Sequence, residues 1–458
     1  MVYQSRQEFP VRAGEKNELL SLFFPVAVTI LSGSLLALVE RLLLARYSIE
    51  GMEAALTVMY ISRLFYFPCM AVPLMAQAAI GFHIGAQEKR AVGPCTWQMV
   101  WFCIFSAFIT IPLGWSVGQS YFSGTSIAPL ALPYYHLMIP LNFLYPLITA
   151  FAAFYIGIGR ARFFLVATIA THLFHLGLCY LLIFGLPGWI HPMGIIGAGI
   201  ATLITQGGLC LFLAISFLHP AYREVFGTDK WQFNRLLLWR YSSPGLFRFG
   251  ARVLCASSWA ALTWVVSRKG DDFLLVFSVG GTIAIFTTFV GEALSQVMTT
   301  MASRVLGAKL YHKLPLLYRS SLSLFVFSSL LLAIPTILFP ETTMAILFSP
   351  EKCIRMREML VPILLGNWIF FLVFTFNSIP MGFILAHQYT KFSLFISALN
   401  WVETLTIYAI IQVFEGPAVY FWAFVALAMF FWETLLLYRK MRSLNDSVLV
   451  NVEPSAIS

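Results

Sequence analysis

Charged residues are scarce in this chain. Asp, Glu, Lys and Arg make up 11% of its 458 residues, whereas a soluble protein of ordinary composition carries about 25%. Hydrophobic residues account for 59% of the chain, and long apolar runs recur from end to end. These runs lack the period-two alternation that marks the strands of a membrane barrel. The deficit of charge therefore excludes a soluble protein, and the continuous runs predict an all-α polytopic membrane protein.

Several motifs are missing, and each absence excludes a class of function. No C-x-x-C pair occurs, so we interpret most of the seven cysteines as small buried apolar residues and not as a disulfide framework. The phosphate-binding loop G-x-x-x-x-G-K-[ST] is absent, which argues against a pump that hydrolyses ATP itself. Neither H-E-x-x-H nor G-x-S-x-G occurs, which argues against an intramembrane enzyme. We therefore expect no enzymatic activity and no cofactor.

The basic residues lie in the short loops between the apolar runs, although the net charge is +9. This distribution is typical of membrane topology and not of a nucleic-acid-binding face, so we expect no nucleic-acid partner. Most of the Lys and Arg residues lie on the side that carries the chain termini, which predicts that both termini are in the cytoplasm. We expect the membrane to be the plasma membrane. The expected partner is the lipid bilayer, and we expect a monomer.

About twelve runs of mostly apolar residues are long enough to cross a bilayer as helices. One polar stretch, HPAYREVFGTDKWQFNRLLLWRYSSP, leaves six of these spans on either side. The predicted organisation is an N-terminal six-helix lobe at 1–218, a cytoplasmic linker at 219–243, a C-terminal six-helix lobe at 244–440 and a cytoplasmic tail at 441–458.

The two predicted lobes carry a weak internal repeat. AQAAIGFHIGAQEKR and SRVLGAKLYHK close their spans in the same manner, with Gly85 and Gly307 222 positions apart. GIGRARF and AHQYTKF also correspond, with Phe163 and Phe392 229 positions apart. Two similar offsets predict lobes related by a parallel repeat, which is an architecture of secondary transporters with the substrate site between the halves.

The order of the motifs resembles one transporter family. PVAVTILSGSLLALVERLLLARY, AQAAIGFHIGAQEKR, GIGRARF, and YLLIFG followed by GIIGAGIATLITQ occur in the order typical of the multidrug and toxic compound extrusion (MATE) transporters. Each motif alone is weak, and the resemblance rests on their order and on the six-plus-six layout across essentially the whole chain. It implies an antiporter whose two lobes open alternately inward and outward, and which expels organic cations in exchange for protons or sodium ions.

One carboxylate, Glu40, lies near the end of the first apolar span. A charge at the centre of a membrane helix costs about 2.5–3.5 kcal/mol on the insertion scale, so its presence needs a reason. Gly33, Ala37 and Glu40 share a helix face whose small residues permit close approach of another helix. The resemblance places Glu40 where the family binds its coupling ion on an aspartate, which implies an ion-coupling role. Snorkelling to the outer interface, or pairing with an arginine there, is the alternative.

The fifth span departs from the family pattern of an Asn and an Asp four residues apart. His175 and Cys179 occupy those positions, and with Thr202 of the sixth span they are our further ion-coupling candidates. Hard cations prefer oxygen ligands and imidazole titrates near neutrality, so we favour coupling to protons over coupling to sodium ions. His172, His175 and Cys179 also share a face that could hold a soft metal ion. We interpret them as packing residues and predict no metal site.

Six further polar or charged residues within the spans are candidates for the lining of a substrate cavity. They are Arg63, Arg252, Glu292, Asn377, Asn400 and Glu403. A structural ion pair between Arg252 and a glutamate is the alternative to a substrate role, because a buried charge needs a partner.

The predicted function is a secondary antiporter that exports organic, cationic, drug-like compounds. The alternative is a flippase for a lipid-linked oligosaccharide, which would need a large cationic cavity for its pyrophosphate group. Arg63 and Arg252 are the only arginines clearly at membrane depth. This small number, and twelve spans instead of fourteen, favour the exporter.

Overall fold

The computed structural model describes residues 15–342, 357–412 and 417–450. Within these ranges the chain is helical, with one isolated β-bridge between Leu186 and Ile190 and no strand. Twelve helical segments in these ranges are long and apolar enough to cross a membrane. The predictions of an all-α fold and of about twelve spans are therefore confirmed. Cys353 and the end of the predicted tail, 451–458, lie outside the described residues.

Seventeen α-helices occur in the described ranges, and several spans consist of two of them in series. The α-helices are α1 (Lys16–Tyr47), α2 (Ile49–Leu74), α3 (Ala76–Gly85), α4 (Val92–Phe122), α5 (Ala128–Met138), α6 (Leu141–Gly157), α7 (Ala161–Phe184), α8 (Gly194–Phe217), α9 (Pro220–Phe226), α10 (Arg235–Lys269), α11 (Asp271–Thr287), α12 (Phe289–Gly307), α13 (Leu314–Ala333), α14 (Arg357–Ala386), α15 (Thr390–Gln412), α16 (Phe421–Met429) and α17 (Leu435–Val450). Lipid cannot bond to a free backbone amide, so apolar runs of this length fold as helices that satisfy their own hydrogen bonds.

The first of two compact units contains residues 24–249. Its apolar core joins α1, α2, α5, α7 and α8. The segment after α9 lies against α4, because the indole nitrogens of Trp97 and Trp101 donate hydrogen bonds to the carbonyl oxygens of Thr228 (2.7 Å) and Trp231 (2.9 Å). The predicted linker thus begins with a short helix and is fixed on this unit before α10 begins.

The second unit contains residues 15–23 and the described residues from 250 onward. Its apolar core surrounds Trp422 of α16, whose indole nitrogen donates to the Val276 carbonyl at 3.1 Å. A Cβ at Gly280 would lie only 1.8 Å from Trp422 Nε1, so this glycine makes room for the indole. Arg304 of α12 forms an ion pair with Glu18 at the start of α1.

Candidate functional site

Glu40 of α1 and His175 of α7 face each other in the first unit. The distance between Glu40 Oε2 and His175 Nε2 is 3.7 Å. The Glu40 side chain is 21% exposed and the His175 side chain is 1% exposed, so the carboxylate is the accessible member of the pair. Among the described residues, His175 is the one basic side chain within ion-pair distance of Glu40.

The imidazole of His175 is oriented by Thr205 of α8. His175 Nδ1 lies 3.1 Å from Thr205 Oγ1, and the Thr205 hydroxyl donates to the Ala201 carbonyl at 2.7 Å. Because the hydroxyl hydrogen is used in this way, Nδ1–H of His175 donates to Thr205. In the neutral tautomer that this bond favours, His175 Nε2 carries its lone pair on the side of Glu40, and this atom has no hydrogen-bond partner within the described residues.

Cys179 completes a cluster of three chemically different donors. A Glu40 carboxylate oxygen, a His175 ring nitrogen and Cys179 Sγ lie within 4.8 Å of one another. Cys179 is fully buried. The Thr202 hydroxyl, in contrast, donates within α8 to the Ala198 carbonyl at 3.0 Å. The structure therefore brings together three of the four ion-coupling candidates, and Thr205, which sequence reasoning missed, contacts His175.

Glycines at the start of α8 explain why α7 and α8 are close enough for this contact. Gly185 and Gly194, at the two ends of the connecting turn, have positive φ angles of 77° and 55°. A Cβ at Gly197 would lie 2.5 Å from the carbonyl oxygen of Leu182, so only a glycine permits this approach of α8 to α7. The motif YLLIFG…GIIGAG thereby sets the distance between the helices that carry His175 and Thr205.

A second polar cluster lies in the second unit. Asn400 Nδ2 of α15 donates to Glu403 Oε2 at 3.2 Å and to Glu433 Oε1 at 3.0 Å. Both carboxyl groups are buried. Glu433 lies in a π-helical turn, Phe430–Thr434, between α16 and α17, and its neighbour Thr434 donates to Asn377 Oδ1 at 2.9 Å. Three of the six cavity candidates, Asn377, Asn400 and Glu403, are thus part of one buried network.

The other three cavity candidates are not among the hydrogen-bonded residues of this network. Arg252 of α10 and Glu292 of α12 both interact electrostatically with Cys255, as Glu403 does. Arg63 of α2 is exposed in the first unit, and its guanidinium lies 4.6 Å from the centre of the Phe67 ring.

The sequence shows Glu433 as an acid within an apolar span, but neither Glu433 nor Thr205 was among the site candidates, and one signal could have selected both. His175 and Thr205 are 30 positions apart, and Glu403 and Glu433 are also 30 positions apart. The two pairs are separated by an offset of 228, which is close to the offsets of the internal repeat. Alignment of the two halves at that offset places His175 opposite Glu403 and Thr205 opposite Glu433.

Comparison with known proteins agrees with this architecture. The MatE family model matches residues 25–181 and again residues 249–407. The probable multidrug resistance protein NorM of Thermotoga maritima is 22% identical over 368 residues, which cover 78% of this chain and 77% of that protein.

Solved transporter structures share the fold. The crystal structure of MATE in complex with MaL6 has a TM-score of 0.84 at 15% identity and covers 94% of this chain and 97% of that chain. A MOP superfamily transporter from Pyrococcus furiosus, described as having a binding pocket of reverse polarity, has a TM-score of 0.82 at 16% identity, with 94% and 96% coverage. The outward-facing structure of a multidrug resistance MATE family transporter gives the same four values.

The family model matches most of the chain, once in each half. The similarity to the solved structures shows only that the fold is shared, because their sequences are only 15–16% identical to this chain. The resemblance inferred from the sequence motifs is confirmed. This chain belongs to the MatE family and is a multi-pass membrane transporter, not an enzyme.

Proposed function

We propose that this transporter is an antiporter that exports organic, cationic, drug-like compounds by alternating access in exchange for protons. The observation that carries the proposal is the pair formed by Glu40 and His175, 3.7 Å apart, with Cys179 of the first unit's apolar core beside it. The similarity to a protein named for multidrug resistance supports the substrate class. Sodium is the less favoured coupling ion, since a His175 nitrogen and the Cys179 sulfur lie beside Glu40, whereas sodium prefers oxygen ligands.

The proton preference follows from the hydrogen-bond pattern. With Nδ1–H committed to Thr205, an ionised Glu40 faces the bare lone pair of His175 Nε2, and two acceptors oppose each other. One proton placed between them satisfies both groups. When the proton leaves, the carboxylate needs another cation, and a positively charged substrate meets that need. The two cations exclude each other on Glu40, which is the condition for exchange.

The energetics suit an exchange of one proton for one monovalent cation. Such an exchange moves no net charge, so the membrane potential, worth about 2.3 kcal/mol per charge at 100 mV, makes no contribution. A tenfold proton gradient supplies about 1.4 kcal/mol and supports about a tenfold substrate gradient. Exchange of a proton for a neutral substrate would be driven by both the membrane potential and the proton concentration gradient.

The substitution Glu40→Gln tests the proposal. It keeps the shape of the side chain but removes the charge, so we expect the loss of pH-gradient-driven efflux of a fluorescent organic cation from proteoliposomes in sodium-free buffer. Glu53→Gln, which changes an exposed carboxylate of α2, is the matched control and should transport like the wild type. Normal transport by Glu40→Gln would remove Glu40 from the mechanism.

The same vesicles distinguish the coupling ions and the alternative function. We expect wild-type transport with a pH gradient alone, and a strict requirement for sodium would contradict proton coupling. Movement of a lipid-linked oligosaccharide without any efflux of cations would instead favour the flippase.

We also propose that the chain lies in the plasma membrane with both termini in the cytoplasm and that it acts as a monomer. The concentration of Lys and Arg in the loops on the terminal side supports this orientation. Labelling of introduced thiols from outside the cell measures this orientation.

A further inference from the structure

The cluster of Glu40, His175 and Cys179 has the donor chemistry of a transition-metal site. It offers one carboxylate oxygen, one imidazole nitrogen and one sulfur, all within 4.8 Å of one another. Donors around a tetrahedral Zn²⁺ lie roughly 3.5 Å apart, given bond lengths of about 2.0–2.3 Å. Glu40 and His175 are already at this separation, 3.7 Å. A shift of the Glu40 and Cys179 donor atoms by about 1 Å would bring all three donors to the separation that one Zn²⁺ ion requires.

The surroundings of His175 are those of a metal ligand. A ligating histidine donates its second ring N–H to a neighbouring acceptor, which fixes the tautomer and the ring orientation. His175 Nδ1 has this arrangement with Thr205 Oγ1, at 3.1 Å. Nε2 is the free donor atom, and it is buried without a hydrogen-bond partner among the described residues. The site therefore presents a lone pair that its protein neighbours do not use.

Charge balance favours a divalent ion at this depth. Binding of Zn²⁺ displaces the proton of the Cys179 thiol. The dication, the thiolate and the Glu40 carboxylate then sum to zero around a neutral imidazole. A neutral complex avoids most of the cost of a net charge within a membrane. The partial exposure of Glu40, 21%, provides access for the ion.

We propose that Glu40, His175 and Cys179 form a three-ligand site for a borderline or soft divalent cation such as Zn²⁺ or Cd²⁺, with the fourth position open to water. Nitrogen and sulfur donors select these ions over Mg²⁺ and Ca²⁺, which need oxygen. The proposal that the metal ion binds depends only on the geometry of the three donors. The consequence for transport rests on the proposed function, because a metal ion on Glu40 would exclude the coupling proton and inhibit efflux.

Cadmium titration of the purified full-length protein tests the binding. We expect one equivalent of Cd²⁺ to produce thiolate charge-transfer absorption in the ultraviolet, and an excess of Mg²⁺ to leave it unchanged. Cys179→Ser should abolish the absorption and weaken binding, measured by calorimetry, at least tenfold. Cys95→Ser, which alters a fully buried cysteine of α4, is the matched control and should bind like the wild type.

His175→Gln provides a second variant with the thiol intact, and it should also weaken binding at least tenfold. Thermal unfolding midpoints of both variants establish that they are folded. Undiminished Cd²⁺ binding by folded Cys179→Ser and His175→Gln would overturn the proposal, as would the absence of binding by the wild type.

Proteoliposome transport separates this proposal from the proposed function. We expect Zn²⁺ to inhibit the wild type and Cys95→Ser, while the remaining transport of Cys179→Ser, relative to its own metal-free rate, resists Zn²⁺. If Glu40→Gln transports normally but loses Cd²⁺ binding, the antiport mechanism fails and the metal site stands. If Cd²⁺ binds elsewhere while Glu40→Gln is inactive, the metal site fails and the antiport mechanism stands.

Discussion

At the residue scale, the first unit positions one histidine with one threonine. Thr205 is 2% exposed, and its hydroxyl is committed to backbone carbonyls of α8. This commitment turns Thr205 into an acceptor for His175 Nδ1–H and so decides which nitrogen faces Glu40. The chemistry proposed for Glu40 therefore depends on a residue that does not touch it.

Removal of the Thr205 hydroxyl should disturb the His175 tautomer. We expect Thr205→Val to lower proton-driven transport about tenfold and to shift its pH profile, since partners of ion-binding histidines typically contribute about 10–100-fold. Thr205→Ser keeps the acceptor and should remain close to the wild type. The measurement is the initial efflux rate in proteoliposomes across a pH series.

Thr171→Val is the control for this substitution. The Thr171 hydroxyl donates only within α7, to the Ala167 carbonyl at 2.9 Å. If Thr205→Val and Thr171→Val gave the same rates and the same pH profile, the orienting role of Thr205 would be wrong.

At the element scale, the distance between α7 and α8 is set by glycine. Gly197 and Gly207 both lie in α8, but their surroundings differ. A Cβ at Gly197 would meet the Leu182 carbonyl oxygen at 2.5 Å, whereas a Cβ at Gly207 would have nothing within 4 Å. One glycine therefore permits a helix contact, and the other only adds freedom to the backbone.

These two positions should respond oppositely to the same substitution. We expect Gly197→Ala to destabilise the protein by about 1–3 kcal/mol, because backbone atoms must separate. Gly207→Ala should be neutral or stabilising by up to about 1 kcal/mol, because alanine favours the helix. Unfolding midpoints in detergent measure both effects. Equal midpoints for the two variants would contradict the close contact at Gly197.

At the scale of the whole molecule, the two units each contain a pair of polar residues with the same spacing, but the residue types in the two pairs differ. His175 and Thr205 in the first unit correspond, at an offset of 228, to Glu403 and Glu433 in the second. The first pair contacts through an imidazole and a hydroxyl, whereas the second shares the amide of Asn400. The two units therefore have the same helical plan, but their polar clusters have different chemistry.

The proposed orientation predicts the sidedness of two exposed positions. Ser123, after α4, should face the outside, and Asp446, in α17, should face the cytoplasm. We expect a membrane-impermeant maleimide to label Ser123→Cys on intact cells but to label Asp446→Cys only after permeabilisation. The protein without an introduced cysteine provides the background, which should be low because most described cysteines are buried. The reverse pattern would invert the topology.

The number of spans, the helical class and the family could be derived from the sequence, because each depends on local properties. The length of an apolar run decides whether it crosses the bilayer, and the order of short motifs decides the family. Glu40 could be singled out for a similar reason, since a carboxylate in an apolar span has a high energetic cost wherever it points.

The composition of the site was decided only by the tertiary structure. Glu40 and His175 are 135 positions apart, and no periodicity connects residues on separate helices. The family resemblance grouped Glu40 with His175 and Cys179 as candidates, but only helix packing shows their donor atoms within 4.8 Å of one another, with His172 outside that cluster. Thr205 contacts His175, where the sequence suggested Thr202, because the rotation of α8 and its close contact at Gly197 fix which threonine faces α7. Local sequence determines where helices form, whereas their packing determines which side chains meet.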